Sequence, residues 1–228
     1  MKYKHIFFDL DRTLWDFEAN SKETFNEIFY KHNLDSLCSF SDFHKEYRKI
    51  NDQLWAQYRL GKITKENLSW QRFYQTMEAF GKKDEKTAKL MSDDYITISP
   101  TKTKMFPYVH EVLDYLSKKY TLHIVTNGFK EVQYKKINNS NIANYFTMIF
   151  TSEEVGCNKP NPDFFSFVLN ETGAKDYESI VIGDDLEVDI KGAKNMKIDA
   201  IWFNPNYMKG DFKPDYEISS LEEINNIL

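Results

Sequence analysis

The chain has few of the features that mark secreted or membrane proteins. It contains only two cysteines, Cys38 and Cys157, and two widely separated cysteines do not make a disulfide framework. No apolar run approaches the roughly 20 residues that span a bilayer. The N-terminal stretch MKYKHIFFDLD meets a charge too early for a signal peptide. We therefore expect free thiols in a reducing compartment and a soluble, cytoplasmic protein.

The chain also lacks the charge pattern that a polyanionic partner would favour. Its 30 basic and 35 acidic residues are interspersed and give a net charge of -5. Nucleic acid polymers and anionic membranes attract clustered basic residues, so we expect neither as a partner. The five histidines show no metal-ligand spacing such as H-E-x-x-H. Nothing in the sequence predicts an oligomeric state.

The spacing of apolar residues changes along the length of the chain. Residues 20–98 carry apolar side chains at helical spacing throughout, and Pro100 closes this block. After Pro107, short apolar strands alternate with helices. We predict strands at 122–126, 148–151, 179–183 and 200–203, a helix at 188–196 and a final helix that begins at Ser220.

This alternation is typical of βαβ units in a parallel sheet. The opening strand, KHIFFD, has no local partner, so we expect it to join the later sheet. The all-helical block is then an insertion into an α/β fold. We predict a core domain over residues 1–15 and 102–228 and an inserted helical domain over residues 16–101.

Polar residues follow successive strands of this predicted sheet. Ligands of open parallel sheets bind beyond the carboxyl ends of the strands, so these residues should converge on one site. They comprise carboxylates, hydroxyls, an amide-glycine turn and a lysine: Asp9, Asp11, Thr13, Thr126, Asn127, Gly128, Lys159, Asp184, Asp185 and Asp189. Taken singly, each is an ordinary turn, helix-cap or solvated loop residue. Their coincidence at strand ends favours a functional site.

These residue types suit phosphoryl transfer. Carboxylate oxygens are ligands that Mg²⁺ prefers. A carboxylate can also attack phosphorus to form an aspartyl-phosphate, while a second carboxyl group donates a proton to the leaving oxygen and later takes one from water. A lysine offsets phosphate charge, and a threonine hydroxyl and the amides of a glycine turn can hold phosphoryl oxygens.

Four segments, in order, resemble the motifs of the haloacid dehalogenase (HAD) superfamily. FFDLDRTL resembles the D-x-D-x-T motif, IVTNG the second, the lysine of NKPNPDFF the third, and VIGDDLEVDIKGAKNMKI the fourth. The resemblance implies a Rossmann-like α/β core with a parallel sheet and helices on both faces, and an inserted all-helical cap of type 1. The stretch Trp15-Asp16-Phe17 and the segment IWFNP are similar to the YjjG-type pyrimidine 5′-nucleotidases.

The resemblance implies a role for each matching residue. Asp9 would be the nucleophile and a Mg²⁺ ligand. Asp11 would be the general acid and base, with its backbone carbonyl on the metal. Thr126 and the Asn127-Gly128 turn would hold the transferring phosphoryl group, and Lys159 would neutralise charge.

The fourth motif would complete the metal site. Asp184 would be a Mg²⁺ ligand, and Asp189 would orient the metal site without binding the ion itself. Asp185 occupies a position through which some relatives coordinate Mg²⁺ and where many others have Ser or Asn, so its role stays open at this point.

The expected activity is Mg²⁺-dependent hydrolysis of a small phosphomonoester, with a nucleoside 5′-monophosphate as the leading candidate substrate. Phosphoglycolate or a sugar phosphate is an alternative substrate, and a phosphomutase shares the aspartyl-phosphate step. Displacement of halide from a 2-haloacid needs no acid for a phosphate leaving group, so Asp11 and the Asp-rich fourth motif argue against it. A non-enzymatic phospho-acceptor domain would be roughly half as long.

Overall fold

A six-stranded parallel sheet forms the centre of one of two compact units in the computed structural model, which describes residues 2–228. This unit runs to Phe17 and resumes at Thr103. Its strands are β1 (His5–Phe8), β2 (Thr121–Thr126), β3 (Phe146–Thr151), β4 (Ser179–Gly183), β5 (Asp199–Phe203) and β6 (Tyr216–Ile218). They lie in the order β3-β2-β1-β4-β5-β6, and the predicted parallel sheet is confirmed.

The α-helices alternate with the strands in one unit and follow one another directly in the other. They are α1 (Phe17–Lys31), α2 (Phe40–Arg59), α3 (Lys65–Ala79), α4 (Glu85–Ile98), α5 (Val109–Ser117), α6 (Lys130–Asn139), α7 (Ser152–Val155), α8 (Pro162–Thr172) and α9 (Gly192–Asn195). A π-helical segment, Leu186–Lys191, leads directly into α9, and a short 3₁₀ helix, Leu221–Asn226, lies near the C-terminus.

The opening strand β1 lies at the centre of the sheet, as expected for a strand without a local partner. Phe8 pairs with Ile124 of β2 on one side and with Ile182 of β4 on the other. Because the three strands are parallel and in this register, the residues that follow them emerge at the same edge of the sheet.

Apolar side chains alternate between the two faces of the sheet, and each face is covered by helices. Phe8 and its neighbours pack with apolar residues of α5, whereas Phe7 packs with Phe164 and Phe165 of α8. Burial on both faces explains why the strands read as continuous apolar runs rather than as alternating ones.

Two features near the fourth motif and the C-terminus differ from the sequence-based prediction. The helix predicted at 188–196 begins at Leu186 with a π-helical segment, because Asp185 accepts hydrogen bonds from the N–H groups of Glu187 and Val188. The short strand β6 was not predicted, since YEI carries too few apolar residues to stand out. The final helix does begin after Ser220, whose N–H donates to Glu223 Oε1 at 2.8 Å.

The second compact unit, residues 18–102, contains only helices among its regular elements. Ser39, Thr64 and Asp84 cap the N-termini of α2, α3 and α4 through their side chains. An aromatic-rich core joins the four helices: Phe25, Ile28, Phe29, Leu34, Phe43, Tyr47, Phe73, Met77, Ala88, Met91 and Tyr95. The aromatic residues of this segment therefore serve mainly as packing.

Across residues 2–228, no helix combines the length and apolar character needed to cross a membrane.

A buried histidine, His123, lies in β2. Its ring stacks on Phe7 with a centroid distance of 4.9 Å, and its Nε2 lies 3.2 Å from Nδ1 of His5. Its own Nδ1 is buried without a hydrogen-bond partner. Burial, with a smaller contribution from His5, lowers the pKa of His123 from 6.5 to about 4.

His123 should therefore make the fold sensitive to acid. Its pKa is lower in the folded than in the unfolded chain, so the unfolded chain binds the proton first and stability falls as the pH drops from 6.5 towards 4. By pH 5 the loss attributable to this residue should be about 2 kcal/mol. Urea unfolding of wild type and His123→Phe at pH 7 and pH 5 measures it. The variant should lose less stability than wild type over that interval, and equal losses would contradict the assignment.

Candidate active site

The residues predicted from the strand ends lie together at the carboxyl edge of the sheet. Asp9 directly follows β1, and its N–H donates to the carbonyl of Ile182 in β4 at 2.9 Å. Thr126 is the last residue of β2, and Asp184 is the first residue after β4. The topology thus positions three polar residues on neighbouring strands.

Lys159 reaches this edge from the loop between α7 and α8. Its side chain is 1% exposed, and its Nζ donates to Asp9 Oδ1 at 2.8 Å, Asp189 Oδ1 at 2.6 Å and the Val125 carbonyl at 2.8 Å. These three bonds use all three ammonium hydrogens. Burial alone would lower the pKa of Lys159, but the charges of Asp189 and Asp9 outweigh it and hold that pKa above its ordinary value.

Asn127 holds the loop that carries Lys159. Its Oδ1 accepts from the Lys159 N–H at 2.8 Å, and its Nδ2 donates to the Lys159 carbonyl at 2.9 Å. The side chain of Asn127 is therefore committed to the Lys159 backbone and fixes where the lysine begins, while phosphoryl binding by the Asn127-Gly128 turn stays a prediction.

Asp9 is 7% exposed and is contacted on both oxygens. Oδ1 accepts from Lys159, and Oδ2 accepts from the Thr13 hydroxyl at 3.2 Å. Burial raises the pKa of Asp9 to about 7; Lys159 opposes this shift, while Asp189 and Asp11 add to it. The carboxylate thus lies in an environment that favours additional positive charge.

Three carboxylates crowd this position. Oxygen atoms of Asp9, Asp184 and Asp189 lie within 4.8 Å of one another. Burial, followed by the charges of Asp9 and Asp189, raises the pKa of Asp184 well above its usual range. Lys159 offsets the charges of Asp9 and Asp189 but makes no such contact with Asp184. Because buried like charges this close are costly and Mg²⁺ prefers carboxylate oxygens, Asp9 and Asp184 fit a Mg²⁺ ion.

Two further aspartates of the fourth motif, Asp185 and Asp189, have separate structural tasks. Asp189 accepts from Lys159 Nζ through Oδ1 and from the Asp185 N–H through Oδ2 at 3.2 Å, so both of its oxygens are engaged. Asp185 Oδ1 accepts from the N–H groups of Glu187 and Val188, both at 3.0 Å. The structure therefore uses Asp185 as a helix cap.

Thr126 and Gly128 form a tight turn after β2. The Thr126 Oγ1 accepts from the Gly128 N–H at 3.1 Å and from Gln133 Nε2 at 2.7 Å. Since both contacts are accepted by the oxygen, the hydroxyl hydrogen of Thr126 is left to donate elsewhere. A Cβ on Gly128 would lie 2.3 Å from Gln133 Nε2, so only glycine fits beside this side chain.

Asp11 lies two residues beyond Asp9 along the chain, and its carboxylate contacts two residues of α6. Lys136 Nζ donates to Asp11 Oδ1 at 2.6 Å, and Gln133 Nε2 donates to Asp11 Oδ2 at 2.9 Å. The carboxylate of Asp11 is thus held by protein donors on both oxygens, as is that of Asp9, but its donors come from α6 whereas those of Asp9 are Lys159 and Thr13.

Sequence reasoning assigned no role to Gln133 and Lys136. The signal was present in GFKEVQYKK, where the two residues are three apart on a helix that opens directly after the Thr126 turn. A buried lysine in such a position needs a carboxylate partner, but the sequence does not show which one.

Comparison with known proteins matches most of the chain to one family. Residues 6–203 match the model of the haloacid dehalogenase-like hydrolases. The HAD-hydrolase YfnB of Bacillus subtilis is 30% identical over 230 residues, covering 100% of this chain and 96% of YfnB. A magnesium-bound crystal structure of YfnB superimposes with a TM-score of 0.92 at 28% identity, covering 100% of this chain and 99% of that one.

Two further relatives have named activities. The pyrimidine 5′-nucleotidases PynA of Streptococcus pneumoniae and YjjG of Escherichia coli are each 29% identical to this chain. Both alignments cover 100% of this chain, with 96% of PynA and 99% of YjjG.

The close approach of Gly128 and Gln133 generates a stability prediction. Gly128→Ala should force Gln133 out of its bonds to Asp11 and Thr126 and destabilise the fold by about 1–3 kcal/mol. Adding Gln133→Ala to that variant removes the clash, so the double variant should be more stable than the sum of the two single effects. Urea unfolding of the four proteins measures this coupling, and additive effects would contradict the predicted clash.

Proposed function

The chain belongs to the haloacid dehalogenase-like hydrolase family, and we propose that it is a Mg²⁺-dependent phosphatase that hydrolyses small phosphomonoesters. The observation that carries the proposal is the Asp9 carboxylate, buried and hydrogen-bonded to Lys159, with Asp184 alongside it and Asp11 two residues further along the chain. A carboxylate in this setting is suited to attack phosphorus, since the lysine reduces its repulsion from an anionic substrate.

In the first half of the proposed reaction, a carboxylate oxygen of Asp9 attacks the phosphorus atom. The bond between phosphorus and the leaving alcohol oxygen breaks, and Asp11 donates a proton to that oxygen. Lys159 offsets the negative charge, and the free hydroxyl hydrogen of Thr126 donates to a phosphoryl oxygen.

In the second half, water attacks the phosphorus of the aspartyl-phosphate. Asp11, now a carboxylate, takes a proton from that water, and the bond between Asp9 and phosphorus breaks. Inorganic phosphate leaves, and Asp9 returns as a carboxylate. The same residue therefore acts as acid in one half and as base in the other.

Asp9, Asp184 and the backbone carbonyl of Asp11 would hold the Mg²⁺ ion, which when bound supplies charge stabilisation to the phosphoryl oxygens. Asp189 supports the site indirectly, because it holds both Lys159 and the backbone of Asp185. The magnesium-bound structure of YfnB supports the proposal that a Mg²⁺ ion takes part.

The helical residues, 16–101 as bounded from the sequence, would form a cap domain inserted into an α/β core domain of residues 1–15 and 102–228. Such a lid excludes water and selects the leaving group. The names of PynA and YjjG favour a nucleoside 5′-monophosphate as the substrate.

A phosphate-release screen tests the proposal. We expect release from nucleoside 5′-monophosphates with added Mg²⁺, and a loss of about 10²-fold or more when a chelator removes the ion. The panel includes sugar phosphates, phosphoglycolate and, for halide release, 2-chloropropionate. Preference for a sugar phosphate would replace the nucleotide assignment, whereas halide release without phosphate release would contradict a phosphatase.

Two matched variants accompany the screen. Asp9→Asn keeps the size of the side chain but removes the nucleophile, so activity should fall by about 10³-fold or more while the circular dichroism spectrum is unchanged. Asp211→Asn, at an exposed aspartate of the same unit, controls for the loss of one negative charge and should retain activity. Substantial turnover by Asp9→Asn would contradict the nucleophile assignment.

A further inference from the structure

Two side chains on one face of α6 contact the carboxylate of Asp11. Gln133 and Lys136 are three residues apart, so their side chains lie on the same side of the helix. Both are almost fully buried, with 1% and 3% exposed, although glutamine and lysine are usually exposed. Between them they contact both oxygens of the Asp11 carboxylate, at 2.9 Å and 2.6 Å.

Gln133 also ties Asp11 to the predicted phosphoryl-binding turn. Its Nε2 donates to Asp11 Oδ2 and to Thr126 Oγ1, so a single amide group spans the two. An amide nitrogen has two hydrogens, one for each partner. The distance between Asp11, the proposed proton donor, and Thr126, the proposed phosphoryl ligand, is therefore set by the planar amide group of Gln133.

Lys136 holds the other side of the carboxylate. Its Nζ lies 4.0 Å from the centroid of the Trp15 ring and 5.8 Å from that of Phe17, so aromatic rings line the ammonium group. A buried ammonium group is costly unless it is paired, and Lys136 forms an ion pair with Asp11, which is the more exposed of the two side chains. Lys136 thus restricts how far the Asp11 carboxylate can turn.

We propose that Gln133 and Lys136 are positioning residues that orient the Asp11 carboxyl group for proton transfer to the leaving oxygen. The inference rests on the proposed function, since it assumes that Asp11 is the general acid. The bonds do not block the chemistry, because a carboxylate oxygen has two lone pairs and a bond from Gln133 or Lys136 leaves one for the transferred proton.

The test compares two esters that differ in how much they need the acid. A nucleoside 5′-monophosphate has an alkyl leaving group that must be protonated, whereas 4-nitrophenyl phosphate releases an acidic phenol that leaves without a proton. The parameter is kcat/KM with Mg²⁺ present, because it reports the step that forms the aspartyl-phosphate and not its later hydrolysis. The variants are Lys136→Met and Gln133→Met, which keep the side-chain length but remove the donor.

In both variants, kcat/KM for the nucleotide should fall by roughly 10- to 100-fold, the scale of a misplaced catalytic group, and much less for 4-nitrophenyl phosphate. Lys136→Arg should recover part of the nucleotide activity, because it retains a cation. Lys135→Met, at the exposed neighbouring lysine, should match wild type on both esters. Because both esters are assayed in the same sample, the ratio of the two kcat/KM values does not depend on the folded fraction.

The outcomes separate this inference from the proposed function. Wild-type activity on both esters, with equal losses or no losses in the two variants, would overturn the positioning role and leave the phosphatase intact. A wild-type enzyme that releases phosphate from neither ester would overturn the proposed function, and this inference with it.

Discussion

The buried ammonium group of Lys159 is the interaction on which the rest of the site depends. It is surrounded by two carboxylates, Asp9 and Asp189, and the carbonyl of Val125. Removing its charge would leave two buried carboxylates facing each other, and removing either carboxylate would leave a buried cation partly unpaired. The two hydrogen bonds from Asn127 to the Lys159 backbone are explained by the same need, since they fix the loop from which the lysine reaches inward.

The parallel sheet explains how so much negative charge comes to lie in one place. Asp9 follows the central strand β1, and Asp184 follows the neighbouring strand β4, so the two residues lie side by side at the same edge of the sheet. The apolar strands are buried on both faces, so the sheet fixes the backbone positions from which these carboxylates extend. A second buried lysine, Lys136, pairs with Asp11 in the same unit. The site thus separates two carboxylates that have only Leu10 between them along the chain: Asp9 faces Lys159, and Asp11 faces α6.

The sheet and the strand-end residues could be predicted because both depend on local pattern: an apolar run followed by a polar residue places that residue at the carboxyl edge. Contacts that depend on helix packing could not be predicted. The contacts of Gln133 and Lys136 with Asp11 depend on how α6 packs, which the sequence pattern does not show. From the sequence, Asp185 could be a Mg²⁺ ligand or a helix cap. The backbone of the segment that follows was needed to show that its Oδ1 caps that helix. Asn127 likewise belonged to a recognised turn, but its partner lies 32 residues away.

The most direct test of the central claim is to locate the phosphoryl group on the protein. Asp11→Asn should still accept a phosphoryl group from 4-nitrophenyl phosphate but should hydrolyse it slowly, because the base for water is gone. Acid quenching, borohydride reduction of the acyl-phosphate and mass spectrometry of the peptides would then identify the modified residue. Our account predicts modification at Asp9, and modification elsewhere, or none during turnover, would contradict it.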